Sequence, residues 1–240
     1  MMAKIFITGS STGLGALAAK ELIAMGNDVY LHARNKQRAQ AALRVNPHAK
    51  GVAIGDLADL DAVRQIATQV NAWGQFDVVI HNAGVDSNDS KLTARVNVEA
   101  PYILTALINR PKRLIYVDSG MHIGAPLDIN SLETKLSYSS SKLALMIFTE
   151  YIAKKWPDVI VNAVDPGWVP TRMGGPAAND DLHGGYSSQV WLATSNDRLA
   201  QTSGNCYYHL KLEDYDKRAD QEHLQAQLVA KLSQLTGIAL

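Results

Sequence analysis

The chain alternates short apolar runs with longer segments of helical periodicity over almost its whole length of 240 residues. The runs at 77–80 and 158–164 are almost continuously apolar, which is typical of strands covered on both faces. Strands separated by helices pair in parallel, because a right-handed crossover brings each new strand back in the same direction. The pattern therefore predicts an α/β fold with a doubly wound, mostly parallel sheet of about seven strands.

The apolar runs predict strands at 4–8, 28–32, 50–54, 77–81, 113–118, 159–164 and 205–208. Helices are predicted at 13–25, 36–45, 60–73, 94–108, 138–156, 185–194 and 217–235. No repeat, low-complexity tract or linker divides the sequence, so residues 1–240 are expected to form one domain. The segment 167–185 is rich in Gly, Pro, Asn and Asp, and we interpret the region of about 167–190 as a substrate loop.

Composition excludes several classes of partner. The 23 Lys and Arg residues balance 23 Asp and Glu residues, so electrostatics give no reason to expect nucleic acid or an acidic membrane surface. No apolar run approaches the roughly 20 residues that span a bilayer, and the N-terminus lacks a signal-peptide pattern, which predicts a cytoplasmic protein. The single cysteine, Cys206, excludes an internal disulfide, and the scattered histidines predict no metal site.

A glycine-rich turn, T-G-S-S-T-G-L-G at residues 8–15, separates the first predicted strand from the first helix. Gly9, Gly13 and Gly15 allow the backbone to turn tightly and to approach a pyrophosphate without an intervening Cβ. The amides at the start of the helix, Leu14 included, then face the phosphates. Turns of this kind also occur for structural reasons alone, so the motif is read together with the segments that follow.

The end of the second predicted strand indicates which nucleotide the turn binds. An acidic residue there would bind a free ribose, whereas an arginine would pair with a 2′-phosphate. Arg34 stands at this point without a carboxylate beside it, and Ser11 and Thr12 can add hydroxyl donors. NADP(H) is therefore expected in preference to NAD(H), although Thr12 brings no second basic residue to this turn.

The pentapeptide Y-S-S-S-K places Tyr138 and Lys142 four residues apart on a predicted helix, so their side chains share one face. A free tyrosine has a pKa of about 10, and a neighbouring ammonium favours the phenolate. Lys142 is therefore expected to lower the pKa of Tyr138, which would act as general acid in carbonyl reduction or as base in alcohol oxidation.

These motifs resemble, in order, those of the short-chain dehydrogenase/reductase family, and the extended stretch after Ser119 resembles its retinol-dehydrogenase-like branch. The resemblance implies a single-domain Rossmann-type fold and assigns Asn97, Ser119, Tyr138 and Lys142 as catalytic. Asn97 would hold a water of a proton relay, Ser119 would stabilise the developing charge on the substrate oxygen, and Lys142 would bind the nicotinamide ribose.

The resemblance also assigns residues that contact the cofactor. Asp56 and Leu57 match the pair at the adenine, and H-N-A-G at residues 81–84 matches the family's N-N-A-G with the cofactor-facing residues kept. D-P-G-W-V-P-T at residues 165–171 matches the segment in which Val169 and Thr171 hold the nicotinamide carboxamide. The last two motifs contribute Asn82, Ala83, Gly84, Pro166, Gly167, Val169 and Thr171.

The implied function is hydride transfer between nicotinamide and a small carbonyl or alcohol. Two other functions stay open: an NADP(H)-sensing regulator without turnover, and an epimerase or dehydratase acting on a nucleotide sugar. The predicted helix 138–156 is apolar around much of its circumference, so we expect a partner on two of its sides and hypothesise a homodimer through this surface.

Overall fold

The computed structural model describes residues 2–240, and its central feature is an eight-stranded sheet in the order β3-β2-β1-β4-β5-β6-β7-β8. The first seven strands pair in parallel and β8 pairs antiparallel with β7. The strands are β1 Lys4–Ile7, β2 Asp28–Ala33, β3 Gly51–Ile54, β4 Val78–His81, β5 Arg113–Val117, β6 Ile160–Asp165, β7 Asn205–Tyr208 and β8 Lys211–Glu213. The predicted α/β, mostly parallel sheet is confirmed.

Helices cover both faces of the sheet. The helices are α1 Gly13–Ala24, α2 Lys36–Val45, α3 Leu60–Ala72, α4 Ser90–Ala94, α5 Ala100–Leu107, α6 Tyr138–Lys155, α7 Leu182–Thr194 and α8 Glu222–Thr236. One apolar core holds residues of α1, α2 and α7, and the other holds residues of α3, α5, α6 and α8. Burial on both faces explains why the strand sequences are continuously apolar.

Side-chain caps begin several of these helices where the sequence changes from loop to helix. Asn35, Asp59, Asp89, Ser137 and Asp181 each accept a hydrogen bond from a first-turn amide. Capping satisfies amides that have no partner within the helix. The Asp181 cap starts α7 at Leu182, three residues before the predicted start at Gly185.

The strand order reverses at β1, whose neighbours are β2 and β4. Loops that follow strands on the two sides of such a point leave the sheet in opposite directions, which opens a crevice at the carboxyl ends of the strands. The loops after β1, β4, β5 and β6 all lie at this edge because these strands are parallel neighbours. The crevice therefore collects the motifs that the sequence singled out.

Three elements differ from their prediction. The predicted helix 217–235 consists of a 3₁₀ turn at Lys217–Asp220 followed by α8, which begins only at Glu222. The predicted helix 94–108 is divided into α4, a π-helical turn at Arg95–Glu99 and α5. Strand β8 was not predicted, because it has only three residues and follows a two-residue turn without the usual Asn-Gly signal. His209 and Leu210 form that turn with φ values of 47° and 67°.

Helix α8 packs on α6 and covers the surface on which the dimer hypothesis was based. The apolar side chains of α6, among them Leu143, Met146 and Phe148, are fully buried within the single chain. They share one core with Leu228 and Leu232 of α8. The second covered side of α6 is thus supplied by the chain's own C-terminal helix, and the apolar pattern of α6 needs no partner subunit.

Candidate active site

The glycine turn after β1 is held in shape by the loop after β4. Gly9 has a φ of +64°, and a Cβ added there would lie 2.8 Å from the Cα of Ala83. The Asn82 amide donates to the Thr8 carbonyl at 3.0 Å and occupies the space that a Cβ at Gly15 would need. Glycine is therefore required at both positions, Gly9 for its left-handed backbone and Gly15 for the close approach of Asn82.

His32, which the sequence analysis did not single out, supports the same turn from β2. Its Nδ1 accepts a hydrogen bond from the Gly9 amide at 3.0 Å, and its Nε2 donates to the Gly55 carbonyl at 2.9 Å. Burial lowers the pKa of His32, which keeps the imidazole neutral and Nδ1 free to accept. The residue type gave no signal for this role, because the role depends on the spatial proximity of three separate loops.

The N-terminus of α1 faces the cleft without a side-chain cap, since Thr12 at the N-cap makes no such hydrogen bond. Its first-turn amides and the positive end of the helix dipole are available to an anion. A Cβ added at Gly13 would meet nothing within 4 Å, so the backbone here borders open space. The residues of this turn therefore fit the pyrophosphate of a dinucleotide.

A cleft of about 500 Å³ runs from this turn to Tyr138. Most of the predicted cofactor residues line it together with both members of the Tyr-Lys pair. The predicted residues that line it are Gly9, Ser11, Thr12, Gly13, Leu14, Arg34, Asp56, Leu57, Asn82, Ala83, Gly84, Tyr138, Lys142, Pro166 and Thr171. Gly15, Asn97, Ser119, Gly167 and Val169 do not line it and lie behind or beside its walls.

Arg38, on the first turn of α2, lines the same cleft as Arg34 and is half-buried. Arg34 and Arg38 thus bring two guanidinium groups to the end of β2, where Ala33 rather than a carboxylate ends the strand. The sequence analysis missed Arg38 and noted only the missing basic residue at Thr12. No local spacing signals it, because Arg34 precedes the extended N-cap Asn35 and only Arg38 lies on α2.

Tyr138 and Lys142 lie on one face of the first turn of α6, as predicted, with the Lys142 Nζ atom 5.5 Å from the centre of the Tyr138 ring. The ammonium is buried and donates a hydrogen bond to the Val117 carbonyl at 2.7 Å. Burial lowers the pKa of Lys142.

The expected lowering of the Tyr138 pKa is not found in the protein alone. Burial and the charges of Asp118 and Asp165 raise the pKa of the phenol, and a hydrogen bond with the Ser119 side chain opposes this rise only in part. The phenol loses solvation next to two carboxylates, and both effects disfavour the phenolate. In this state Tyr138 holds its proton.

Asn97 lies in the π-helical turn and connects the loop after β4 to α6. Its Oδ1 accepts from the Val85 amide at 2.8 Å, while its Nδ2 donates to the Val85 carbonyl and to Ser141 Oγ, each at 2.9 Å. The side chain is 1% exposed, so these contacts occupy both amide protons. Asn97 thereby stabilises the wall beside Lys142, and its part in a proton relay stays a prediction.

The loop after β6 folds over the end of the cleft farthest from the arginines. Thr171 lines the cleft and its Oγ1 accepts from the Gly174 amide at 3.2 Å, whereas Val169 is buried against Gly185. Trp168 is 53% exposed and Met173 is 51% exposed. Two large apolar side chains on a loop at the mouth of the cleft leave room for a substrate to cover them.

Within residues 2–240, no group of three or more His, Cys, Asp and Glu side chains is arranged to hold a metal ion. Over the same residues, no helix is both long enough and apolar enough to cross a bilayer.

Comparison with known proteins agrees with this geometry. Residues 3–182 match the family model described as short chain dehydrogenase. The short-chain dehydrogenase chyC of Penicillium rubens is 34% identical, with 100% of this chain and 99% of that protein covered. Human retinol dehydrogenase 13 is 26% identical, with 98% of this chain and 84% of that protein covered. A solved structure from Mycobacterium paratuberculosis, titled a putative uncharacterized protein, has a TM-score of 0.80 at 25% identity, with 99% and 94% of the two chains covered.

Proposed function

The chain belongs to the short-chain dehydrogenase/reductase family of oxidoreductases, and on that premise we propose that it is an NADP(H)-dependent enzyme acting on a small carbonyl or alcohol, with Tyr138 as general acid and base. The observation that carries the proposal is the single cleft that joins the glycine turn and two arginines at one end to Tyr138 and Lys142 at the other. Such a cleft combines the residues of a dinucleotide site with a proton donor in one cavity of about 500 Å³.

The preference for NADP(H) is supported by Arg34 and Arg38. Two guanidinium groups at the end of β2 match a 2′-phosphate, and no carboxylate on that strand end is present to bind a free 2′-hydroxyl. Ser11 and Thr12 line the same part of the cleft and provide hydroxyl donors. Arg38 supplies a second positive charge in this part of the cleft, which the uncharged Thr12 cannot provide.

When bound, NADPH would supply the hydride at the end of the cleft beside Tyr138. Tyr138 donates its proton to the substrate oxygen, and the Ser119 hydroxyl next to it stabilises the charge on that oxygen. Lys142 is fixed on Val117 and is available to the ribose hydroxyls. The loop of about 167–190 is proposed to close over the substrate and to exclude water.

Tyr138 holds its proton in the protein alone, as a general acid must when the substrate binds, but a free tyrosine does so at neutral pH as well, and the shift therefore selects no reaction direction. The carboxylates of Asp118 and Asp165 maintain that state in the protein alone. A positive charge brought close to the phenol by the oxidised cofactor would lower its pKa and favour the base.

The test is consumption of NADPH and of NADH with a panel of aldehydes and ketones, for the wild type and for Tyr138→Phe. Tyr151→Phe is a matched control, because Tyr151 and Lys155 form a second Tyr-Lys pair on α6, with Lys155 Nζ 3.1 Å from Tyr151 Oη, outside the cleft. We expect turnover that prefers NADPH, is lost in Tyr138→Phe and is unchanged in Tyr151→Phe. Wild-type turnover in Tyr138→Phe would contradict the proposal, and tight NADPH binding without turnover on any substrate would favour the sensor.

A further inference from the structure

Two buried ionisable side chains lie next to Ser119, and the chemistry proposed above uses only the charge of one of them, Asp118. Asp118 is 1% exposed and His122 is fully buried. Asp118 directly precedes Ser119, and His122 ends the single 3₁₀ turn Gly120–His122 that follows it. A buried carboxylate and imidazole are costly to desolvate, so their contacts indicate what they do.

The His122 imidazole connects Ser119 to a distant part of the chain. Its Nε2 accepts a hydrogen bond from the Asp216 amide at 3.2 Å, so Nδ1 carries the ring proton. Nδ1 lies 2.6 Å from the carbonyl oxygen of Ser119, to which it donates. The imidazole thus ties the backbone of Ser119 to the residues that follow β8.

The same residues hold the far end of the Ser119 loop. The Gly124 amide donates to Asp216 Oδ2 at 2.8 Å, and Arg218 Nη2 donates to the Ala125 carbonyl at 2.7 Å. Arg218 Nε also donates to Asp216 Oδ1 at 2.9 Å, which fixes both side chains. Loop 119–125 is therefore clamped at both ends by the Asp216–Arg218 segment.

Asp118 keeps the imidazole in this orientation. Its Oδ2 lies 3.0 Å from His122 Nδ1, and neither carboxylate oxygen has a regular hydrogen bond among residues 2–240. Burial raises the pKa of Asp118, with His122 and Lys142 opposing the rise and Asp165 adding to it. The imidazole thus lies at ion-pair distance from this carboxylate, and rotation of the ring would remove that partner from a buried group.

Apart from its contact with the Tyr138 phenol, the Ser119 hydroxyl makes few contacts that would hold it in place. Its Oγ accepts from the Met121 amide at 3.3 Å, a long hydrogen bond within the same turn, and the next amide, Gly120, is held by Asp165 Oδ2 at 2.8 Å. The direction of the hydroxyl towards Tyr138 therefore depends on the backbone at residue 119, and the carbonyl of that residue is held by His122.

We propose that His122, oriented by Asp118, is a positioning residue for Ser119, and that the Asp216–Arg218 segment is the anchor through which it acts. The proposal rests on the proposed function, because Ser119 matters only where a substrate oxygen must be stabilised. It assigns to the C-terminal part of the chain a share in catalysis that the motifs up to Thr171 do not include.

A double-mutant cycle tests the proposal. We expect His122→Ala to lower kcat at least about tenfold with NADPH affinity changed less than about twofold, because a small displacement of a catalytic group is costly. His122→Asn retains a donor near Nδ1 and should recover part of the loss, and Asp118→Asn should cause a smaller loss than His122→Ala. In a Ser119→Ala background, where there is no hydroxyl to position, His122→Ala should change the residual kcat by less than about twofold.

The outcomes separate the two proposals. If His122→Ala lowers kcat by the same factor with and without the Ser119 hydroxyl, its role is not positioning of Ser119 and the inference is overturned. If Ser119→Ala turns over like the wild type, Ser119 has no share in catalysis and the inference is overturned as well, whereas the proposed function fails on a different result, wild-type turnover in Tyr138→Phe. If thermal unfolding shows that His122→Ala is not folded, Arg218→Gln replaces it, because this substitution weakens the anchor without changing His122. The loss of kcat in Arg218→Gln must then also disappear in the Ser119→Ala background. His223→Ala, which removes an exposed imidazole, is the control.

Discussion

The ammonium group of Lys142 donates a 2.7 Å hydrogen bond to the backbone carbonyl of Val117. This bond holds a buried charge at the end of β5, beside the phenol on the same helix. We expect Lys142→Met to lower kcat at least about 100-fold, since it removes the ammonium proposed to bind the nicotinamide ribose beside Tyr138. Lys155→Met, at the exposed Tyr-Lys pair of α6, should turn over like the wild type. Steady-state kinetics of both variants check this, and equal activity of the two would contradict it.

Arg34 and Arg38 are expected to determine cofactor choice. Each guanidinium offers a charge-assisted hydrogen bond worth about 1.5–3 kcal/mol, so Arg38→Ala should weaken NADPH binding roughly 10-fold to 100-fold. NADH affinity should stay within about twofold, because NADH has no 2′-phosphate. Arg44→Ala, exposed on the last turn of the same helix, is the control. Fluorescence titrations with both cofactors measure the affinities. An equal loss of affinity for NADPH and for NADH would show that Arg38 does not bind the 2′-phosphate.

Most of the sheet could be predicted from the sequence because its strands are buried on both faces. Strand β4 is apolar at every position but one, so its own residues predict a strand before any neighbouring strand is identified. Strand β8 has two exposed residues out of three and exists only because it pairs with β7, so no local pattern indicates it. Likewise, the π-helical turn inside the predicted helix 94–108 preserves the helical periodicity closely enough to be read as α-helix.

The candidate site divides in the same way. Tyr138 and Lys142 share a local spacing, and the glycine turn is a local motif, so both could be found from the sequence. His32 and His122 act through contacts with residues 23 and 94 positions away, and no spacing predicts those contacts. The charge state of Tyr138 also depends on Asp118 and Asp165, which two different strands bring to it.

Because α8 packs on α6 and buries its apolar side chains, we expect that the protein does not dimerise through α6. The α6 side chains are already buried, and Tyr102 Oη further secures the C-terminus by donating to the Ile238 carbonyl at 2.7 Å. We expect light scattering at micromolar concentration to give the mass of one chain, 26.1 kDa. A dimer that persists when Leu228→Asp loosens α8 would support association through another surface. A dimer that forms only in Leu228→Asp would show that α6 associates once α8 no longer covers it.

Glu99 is expected to make stability depend on pH. The side chain is fully buried and neither carboxylate oxygen has a hydrogen bond, so burial, followed by the charge of Glu133, raises its pKa from 4.5 to about 7. Between these values the unfolded chain releases the proton and the folded chain keeps it, so the free energy of unfolding falls as the pH rises.

Glu99→Gln has no proton to release. The stability of the variant relative to the wild type should therefore rise by about 3 kcal/mol between pH 4.5 and pH 7 and stay constant on either side. Urea unfolding at pH 4, 5.5 and 8 measures this, with the exposed Glu222→Gln as control. A difference that does not vary with pH would mean that Glu99 is ionised in the folded protein, with a counter-charge close enough to offset its burial.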